Sequence, residues 1–233
     1  MHSVENRLLA ALPRKDRQHL LSGCEPIDLV FGNVLCELGE AIPYVYFPTN
    51  SIISLVMPID GDRELKVGLI GNEGMLGIPI MLRVNVAPFH AIVQGAGPAL
   101  RIAAPLFLSE LEQSPALQQH LNRYIYVLMS QLAQTVACNR FHVVEERLAR
   151  LLLMIHDRAH SEKFHITQES LAQMLGVRRV GVTKAASLLQ KKNLISYSRG
   201  DINIHDIIGL EAASCSCYQA DKESYNRTLL GYE

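Results

Sequence analysis

The chain has 233 residues, 48% of them hydrophobic and 19% charged, so it can build a sizeable core and is not globally disordered. Its formal net charge of −1 hides a basic block: residues 141–200 carry ten Lys and Arg against five acids, a local +5 inside an otherwise acidic chain, as a polyanion-binding surface would. No run approaches the roughly 20 apolar residues of a membrane helix, and the apolar stretch 8–12 is too short for an export signal.

In chain order, residues 1–23 read as a helical lead-in. Residues 24–114 follow as short apolar runs (27–31, 44–47, 52–57, 65–70, 89–93, 99–102) broken by Gly, Pro, Asn and Asp. That cadence is the pattern of an all-β sandwich or barrel, with Asp60-Gly61 as a hairpin turn between two of the runs.

Ser114-Pro115 is a helix start, serine as cap and proline in the first turn. Leu117, Leu121, Tyr124, Leu128 and Leu132 then recur at helical spacing within residues 115–142. A stripe that long with no matching partner elsewhere predicts a helix paired with its own copy across a two-fold axis; packing across the β domain is the alternative.

Residues 143–210 change character again. Glu145 and Glu146 open a helix that Arg158 closes, as the helix dipole favours. In the segment ITQESLAQMLGVRRVGVTKAASLLQKKNLI (166–195), Thr167 caps a first helix and Gly176 ends it. A second helix has Val182, Ala185, Leu188 and Leu189 facing inward and carries the cations Arg178, Arg179 and Lys184 near its start. This is a helix-turn-helix, and the hairpin around Arg199-Gly200-Asp201 is its wing. Residues 211–233 read as a tail.

Over most of its length the chain resembles the Crp/Fnr family of bacterial transcription regulators. The resemblance implies an α+β fold: a jelly-roll or double-stranded β-helix of the cyclic-nucleotide-binding type, a long dimerisation helix and a C-terminal winged helix. It implies double-stranded DNA and a second copy of the chain as partners, and activation of transcription would add RNA polymerase. By the same resemblance Arg179 sits at the base-reading arginine and Lys184 at a later basic contact, whereas Val180 replaces the family's glutamate. The expected DNA-contacting residues are Thr167, Gln168, Arg178, Arg179, Val180, Thr183, Lys184 and Arg199.

Glycines 68, 71, 74 and 77 recur every third residue where the resemblance places a phosphate cassette; tight turns are the other reading. Gly74, Met75, Gly77, Arg83, Phe89 and His90 are the residues of the expected pocket. Met75 falls at the family's ribose-binding glutamate, and Phe89 and His90 at its phosphate-binding arginine and hydroxyl residue. Cyclic AMP is therefore not the expected effector, although Arg83 is a nearby cation.

The five cysteines, Cys24, Cys36, Cys138, Cys215 and Cys217, are odd in number and scattered, which fits free thiols in a reducing cytoplasm. Cys215-Ser216-Cys217 could chelate or pair with Cys24 or Cys138, but no metal is assigned. His156 and His160 share a helix face without a third ligand. No nucleophile elbow, phosphate-binding loop or set of converging histidines marks an enzyme. The contrasting expectation is a ligand-binding module that regulates a protein partner.

Overall fold

The computed structural model describes residues 5–59 and 63–231. The lead-in forms α1 (Arg7–Ala10) and α2 (Arg14–Ser22). Seven strands follow: β1 (Glu25–Leu29), β2 (Val34–Cys36), β3 (Tyr44–Pro48), β4 (Ile52–Pro58), β5 (Glu64–Ile70), β6 (His90–Gly95) and β7 (Gly97–Ala103), with a short α3 (Ile78–Met81) before β6. They pair antiparallel in two sheets, ordered β1-β7-β3 and β2-β6-β4-β5. Both sheets send side chains into one core, in which Val45, Phe47, Ile53 and Ala91 are fully buried. The β4–β5 pairing runs from Ile53 opposite Ile70 to Pro58 opposite Glu64, while the expected Asp60-Gly61 turn lies outside the described residues.

Helix α4 (Ala104–Gln113) leads into α5 (Pro115–Phe141), 27 residues and about 40 Å long at 1.5 Å per residue. The Ser114 hydroxyl accepts from Leu117 N at 3.0 Å, so the serine caps α5. The first half of α5 does not wait for a second copy. Leu117, Leu121 and Tyr124 are at most 2% exposed and belong to the roll's own core, which removes them from any intermolecular interface. Leu128 is half-buried against the same core. Of the expected stripe only Leu132 is open, and it lies beside Tyr126, Met129 and Val136, all more than half exposed. Periodicity reports that a face is buried; here the roll buries one face and a neighbouring face is left free.

After a break at His142, α6 (Val144–Ala159) begins a second core that includes Leu148, Leu152, Val182, Leu189 and Ile202. Around it lie α7 (Gln168–Leu175), α8 (Arg179–Lys191) and a three-stranded sheet. Its strands are β8 (Lys163–His165), β9 (Ile195–Ser198) and β10 (Asp201–Ile204), in the order β8-β10-β9. Residues 211–231 are not a loose tail. Helix α9 (Ile207–Ala213), α10 (Cys217–Tyr225) and a closing π-helical turn pack back on the body of the chain. Tyr218 enters the second core, whereas Tyr225 and Leu229 enter the core of the roll. Between them Asp221 forms a buried ion pair with Arg150 at 2.6 Å. No helix among the described residues is long and apolar enough to cross a membrane.

Candidate nucleic-acid interface

The turn between α7 and α8 is built from local chemistry. Thr167 Oγ1 accepts from Ser170 N at 3.1 Å, starting α7. Gly176 ends it at φ +61°, the left-handed region where a side chain is strained. Val177 donates its N–H to Ala172 O at 3.1 Å and packs against the second core. Val182, Ala185, Ala186 and Leu189 are the inward face of α8, whereas Leu188 is 43% exposed. The small Ala186 takes the position expected for Leu188, because the three-four alternation runs 182, 185, 186, 189.

This orientation leaves Arg178, Arg179, Val180, Thr183 and Lys184 exposed on one face of α8. Gln168, at the start of α7, joins them: its amide oxygen accepts from Arg179 Nε at 3.3 Å and from the Thr183 hydroxyl at 2.9 Å. One acceptor thus braces two side chains of the second helix. At the wing, Arg199 (φ +54°) and Gly200 (φ +96°) make the two-residue turn with both φ positive that matches the twist of a hairpin. A Cβ at Gly200 would stand 2.6 Å from Cε1 of the exposed His165 on β8, a ring that can swing aside, so it is the positive φ that calls for glycine here. Arg199 is exposed at the tip, and His165 Nδ1 lies 2.8 Å from Asp201 Oδ1 beside it.

The expected pocket residues come out differently. Met75 is fully buried in the roll's core, and Tyr124 fills the space beside Gly74: a Cβ there would be 2.0 Å from Tyr124 Oη. The same hydroxyl accepts from Met75 N at 3.3 Å, and burial pushes the Tyr124 phenol well above its ordinary pKa. Gly71 likewise admits Arg158 of α6, whose Nε donates to Glu73 Oε1 at 2.7 Å, and Gly77 (φ +118°) lies against Val45. The glycine ladder therefore receives the protein's own side chains. Arg83 points away to Glu112 on α4 at 2.5 Å, His90 is held by Glu37 on the roll's surface, and Phe89 packs on the roll's core. A half-open pocket of about 300 Å³ lies instead among Glu73, Arg158, His160, Tyr218 and Tyr225, and none of the six expected pocket residues lines it.

The sequence raises chelation by Cys215-Ser216-Cys217 or its pairing with Cys138 and favours free thiols, but it does not bring His142 to them. Cys138 and His142 at the end of α5 meet Cys215 and Cys217 from the corner between α9 and α10. The hydrogen bond with Cys215, helped by His142 and Arg150, holds the Cys138 thiol well below the ordinary thiol range. The one-turn spacing of Cys138 and His142 and the Cys-x-Cys pair were the available signals, but 77 residues separate Cys138 from Cys215.

A β-roll, a long helix and a winged helix-turn-helix together define the architecture of Crp/Fnr-type transcriptional regulators. Residues 146–213 match the family model of the Crp-like helix-turn-helix domain. Over 81% of its length the chain is similar in fold to 96% of a CRP-family transcriptional regulator from Thermus thermophilus, at 14% identity and a TM-score of 0.68. A second regulator from the same organism, of the CRP/FNR family, gives 19% identity and a TM-score of 0.62, over 82% of this chain and 98% of that one. The c-di-GMP-responsive global regulator CLP of Xanthomonas campestris gives 16% and 0.62, over 83% and 99%. No curated protein sequence matches the chain at a significant level. The chain thus carries a Crp-like helix-turn-helix domain within a Crp/Fnr-type fold.

Proposed function

We propose that this chain is a sequence-specific DNA-binding transcription regulator that acts as a homodimer on a two-fold operator. The observation that carries the reading is the exposed face of α8, with Arg178, Arg179, Thr183 and Lys184 together and Arg179 braced by Gln168. A helix presenting its N-terminal half in this way enters a major groove. Arg179 pairs with the O6 and N7 edge of a guanine, and Val180, 58% exposed beside it, suits a thymine methyl where the family has a glutamate. Arg199 at the wing tip and Thr167 at the cap reach backbone phosphates. The open stripe Tyr126, Met129, Leu132 and Val136 supports pairing of two α5 helices, which spaces the half-sites about one helical turn apart. The roll does not take a cyclic nucleotide in the family manner, because Tyr124 and Met75 fill the cassette and Arg83 is paired elsewhere.

The test is to select duplexes from genomic DNA with the purified chain and then to measure their affinities against salt. Arg179→Ala should cost about 1–3 kcal/mol and relax one base position, whereas Arg199→Ala should weaken all sequences alike and lower the salt slope by about one. If neither substitution changes affinity, or if both relax specificity equally, the reading fails.

A further inference from the structure

We propose that Cys138, His142, Cys215 and Cys217 form a mononuclear tetrahedral metal site, best suited to Zn²⁺, that clasps the junction between α5 and the DNA-binding unit. The four ligand atoms lie within 4.8 Å of one another. Cys138 Sγ is 3.5 Å from Cys215 Sγ, and Cys217 Sγ is 3.5 Å from His142 Nδ1. A zinc ion with bonds of about 2.3 Å to sulfur and about 2.0–2.1 Å to nitrogen spaces tetrahedral ligands roughly 3.5–3.8 Å apart. The set therefore needs only a small contraction of its longer edges to close around one ion. An iron–sulfur cluster, with several metal atoms, spreads its thiolates wider than this group allows. Three thiolates and one imidazole also fill all four positions and leave none for a substrate, the pattern of a structural site.

The surroundings supply a second, independent argument. The three sulfurs form a small buried cluster of their own, at most 6% exposed, apart from both apolar cores. Two buried arginines on α6 flank it. Arg150 spends one nitrogen on Asp221, and Arg147 reaches Asn139 and Leu175 O, yet the Nε of each arginine is buried without a hydrogen-bond partner. Asp221 balances only one of these two cations, so one positive charge and two orphaned donors are left beside the sulfurs. They are the complement of a centre that carries one net negative charge, as three thiolates and a neutral imidazole on Zn²⁺ do. Gln134 Nε2 adds a donor to Cys217 Sγ at 2.9 Å, the kind of outer-shell bond that orients a thiolate ligand.

On binding, the thiols release their protons to solvent and the metal takes their place, so affinity rises with pH. Cys138 and His142 belong to the end of α5, while Cys215 and Cys217 flank the corner that sends α10 back along the chain. Occupancy fixes that corner to the last turn of α5, from which only His142 and Val143 lead to the start of α6.

The experiment uses the full chain, purified under reducing conditions, and needs no DNA, so its outcome is separate from the reading above. Metal analysis should find one zinc per chain. Cobalt titrated into chelator-treated protein should give the visible bands of a tetrahedral ion and a thiolate charge-transfer band, both erased by one equivalent of zinc. Cys217→Ser and His142→Gln should lower zinc affinity at least tenfold, whereas Cys24→Ser and Cys36→Ser should leave it unchanged. A wild-type chain with no tetrahedral cobalt signal, an iron–sulfur chromophore in anaerobically prepared protein, or full affinity in Cys217→Ser would overturn the proposal. If a variant fails to fold, the wild-type cobalt spectrum decides alone, because its charge-transfer intensity reports the number of thiolates.

Discussion

Leu132→Ala should weaken self-association and spare the fold, while Leu121→Ala should do the opposite, although both residues lie on α5. Leu132 is 54% exposed, so about half of the 1.5–3 kcal/mol that full burial of such a side chain provides is still to be gained at an interface. That is roughly 0.8–1.5 kcal/mol per copy. The substitution is present in both protomers, so the dimer loses about 1.5–3 kcal/mol and its Kd rises about 10- to 150-fold. Leu121 is 0% exposed in the roll's core, and its truncation costs the chain about 2–5 kcal/mol of stability. Sedimentation equilibrium from nanomolar to micromolar concentration reads the first effect, and urea unfolding reads the second. A Leu132→Ala dimer as tight as wild type, or a Leu121→Ala dimer loosened as much, would refute the division of α5 into a buried face and an open one.

Gly74→Ala should destabilise the chain by about 1–3 kcal/mol, since its Cβ would stand 2.0 Å from Tyr124 Oη. Adding Tyr124→Phe removes that oxygen and should recover part of the loss in melting temperature; no recovery would mean the glycine serves another purpose. Burial lowers the Lys66 ammonium from its usual 10.5 to about 8, where it donates to Gln94 and to Ser170 of α7. Between those two pH values Lys66 binds fewer protons in the folded chain than in the unfolded one, so its own contribution to stability climbs as pH rises, against the fall contributed by the buried thiols of Cys24 and Cys36. Between pH 8 and pH 10 the urea midpoint of wild type should gain relative to that of Lys66→Met, and an equal change in both proteins would refute the assignment. Calorimetric titration with cyclic AMP and cyclic GMP should show no heat, whereas a micromolar constant lost in Arg83→Ala would restore the pocket that the structure closes.

The strand cadence, the Ser114 cap, the break near residue 142 and the helix-turn-helix were legible because each is written in local chemistry: turn residues, a capping hydroxyl, a left-handed glycine. What was not legible depended on partners distant in sequence. The spacing of Leu117, Leu121 and Tyr124 announces a buried face, but whether a second chain or the roll covers it is decided by tertiary packing. The glycine ladder announces close approach, and only the fold shows that Tyr124 and Arg158 are what approaches. Strand β8 is three residues long and takes its identity from its partner β10. Helix α10 is polar enough to read as a tail because it buries only a few residues, including Tyr218, Asp221 and Tyr225, against other parts of the chain.

Those few residues decide how separable the two halves of the molecule are. Tyr218 is seated in the helix-turn-helix core and Tyr225 in the core of the roll, so a single helix of nine residues is common to both. The Tyr225 hydroxyl donates to Glu73 O at 2.8 Å, and Arg7 lies 5.1 Å above its ring. Cutting the chain at its apparent boundary near residue 142 would therefore strip the roll of Tyr225 and Leu229, which belong to its own core. The roll and the helix-turn-helix unit do not behave as two beads on a string. They share a rivet, and the roll cannot loosen around Tyr225 without loosening the helix that anchors the other half.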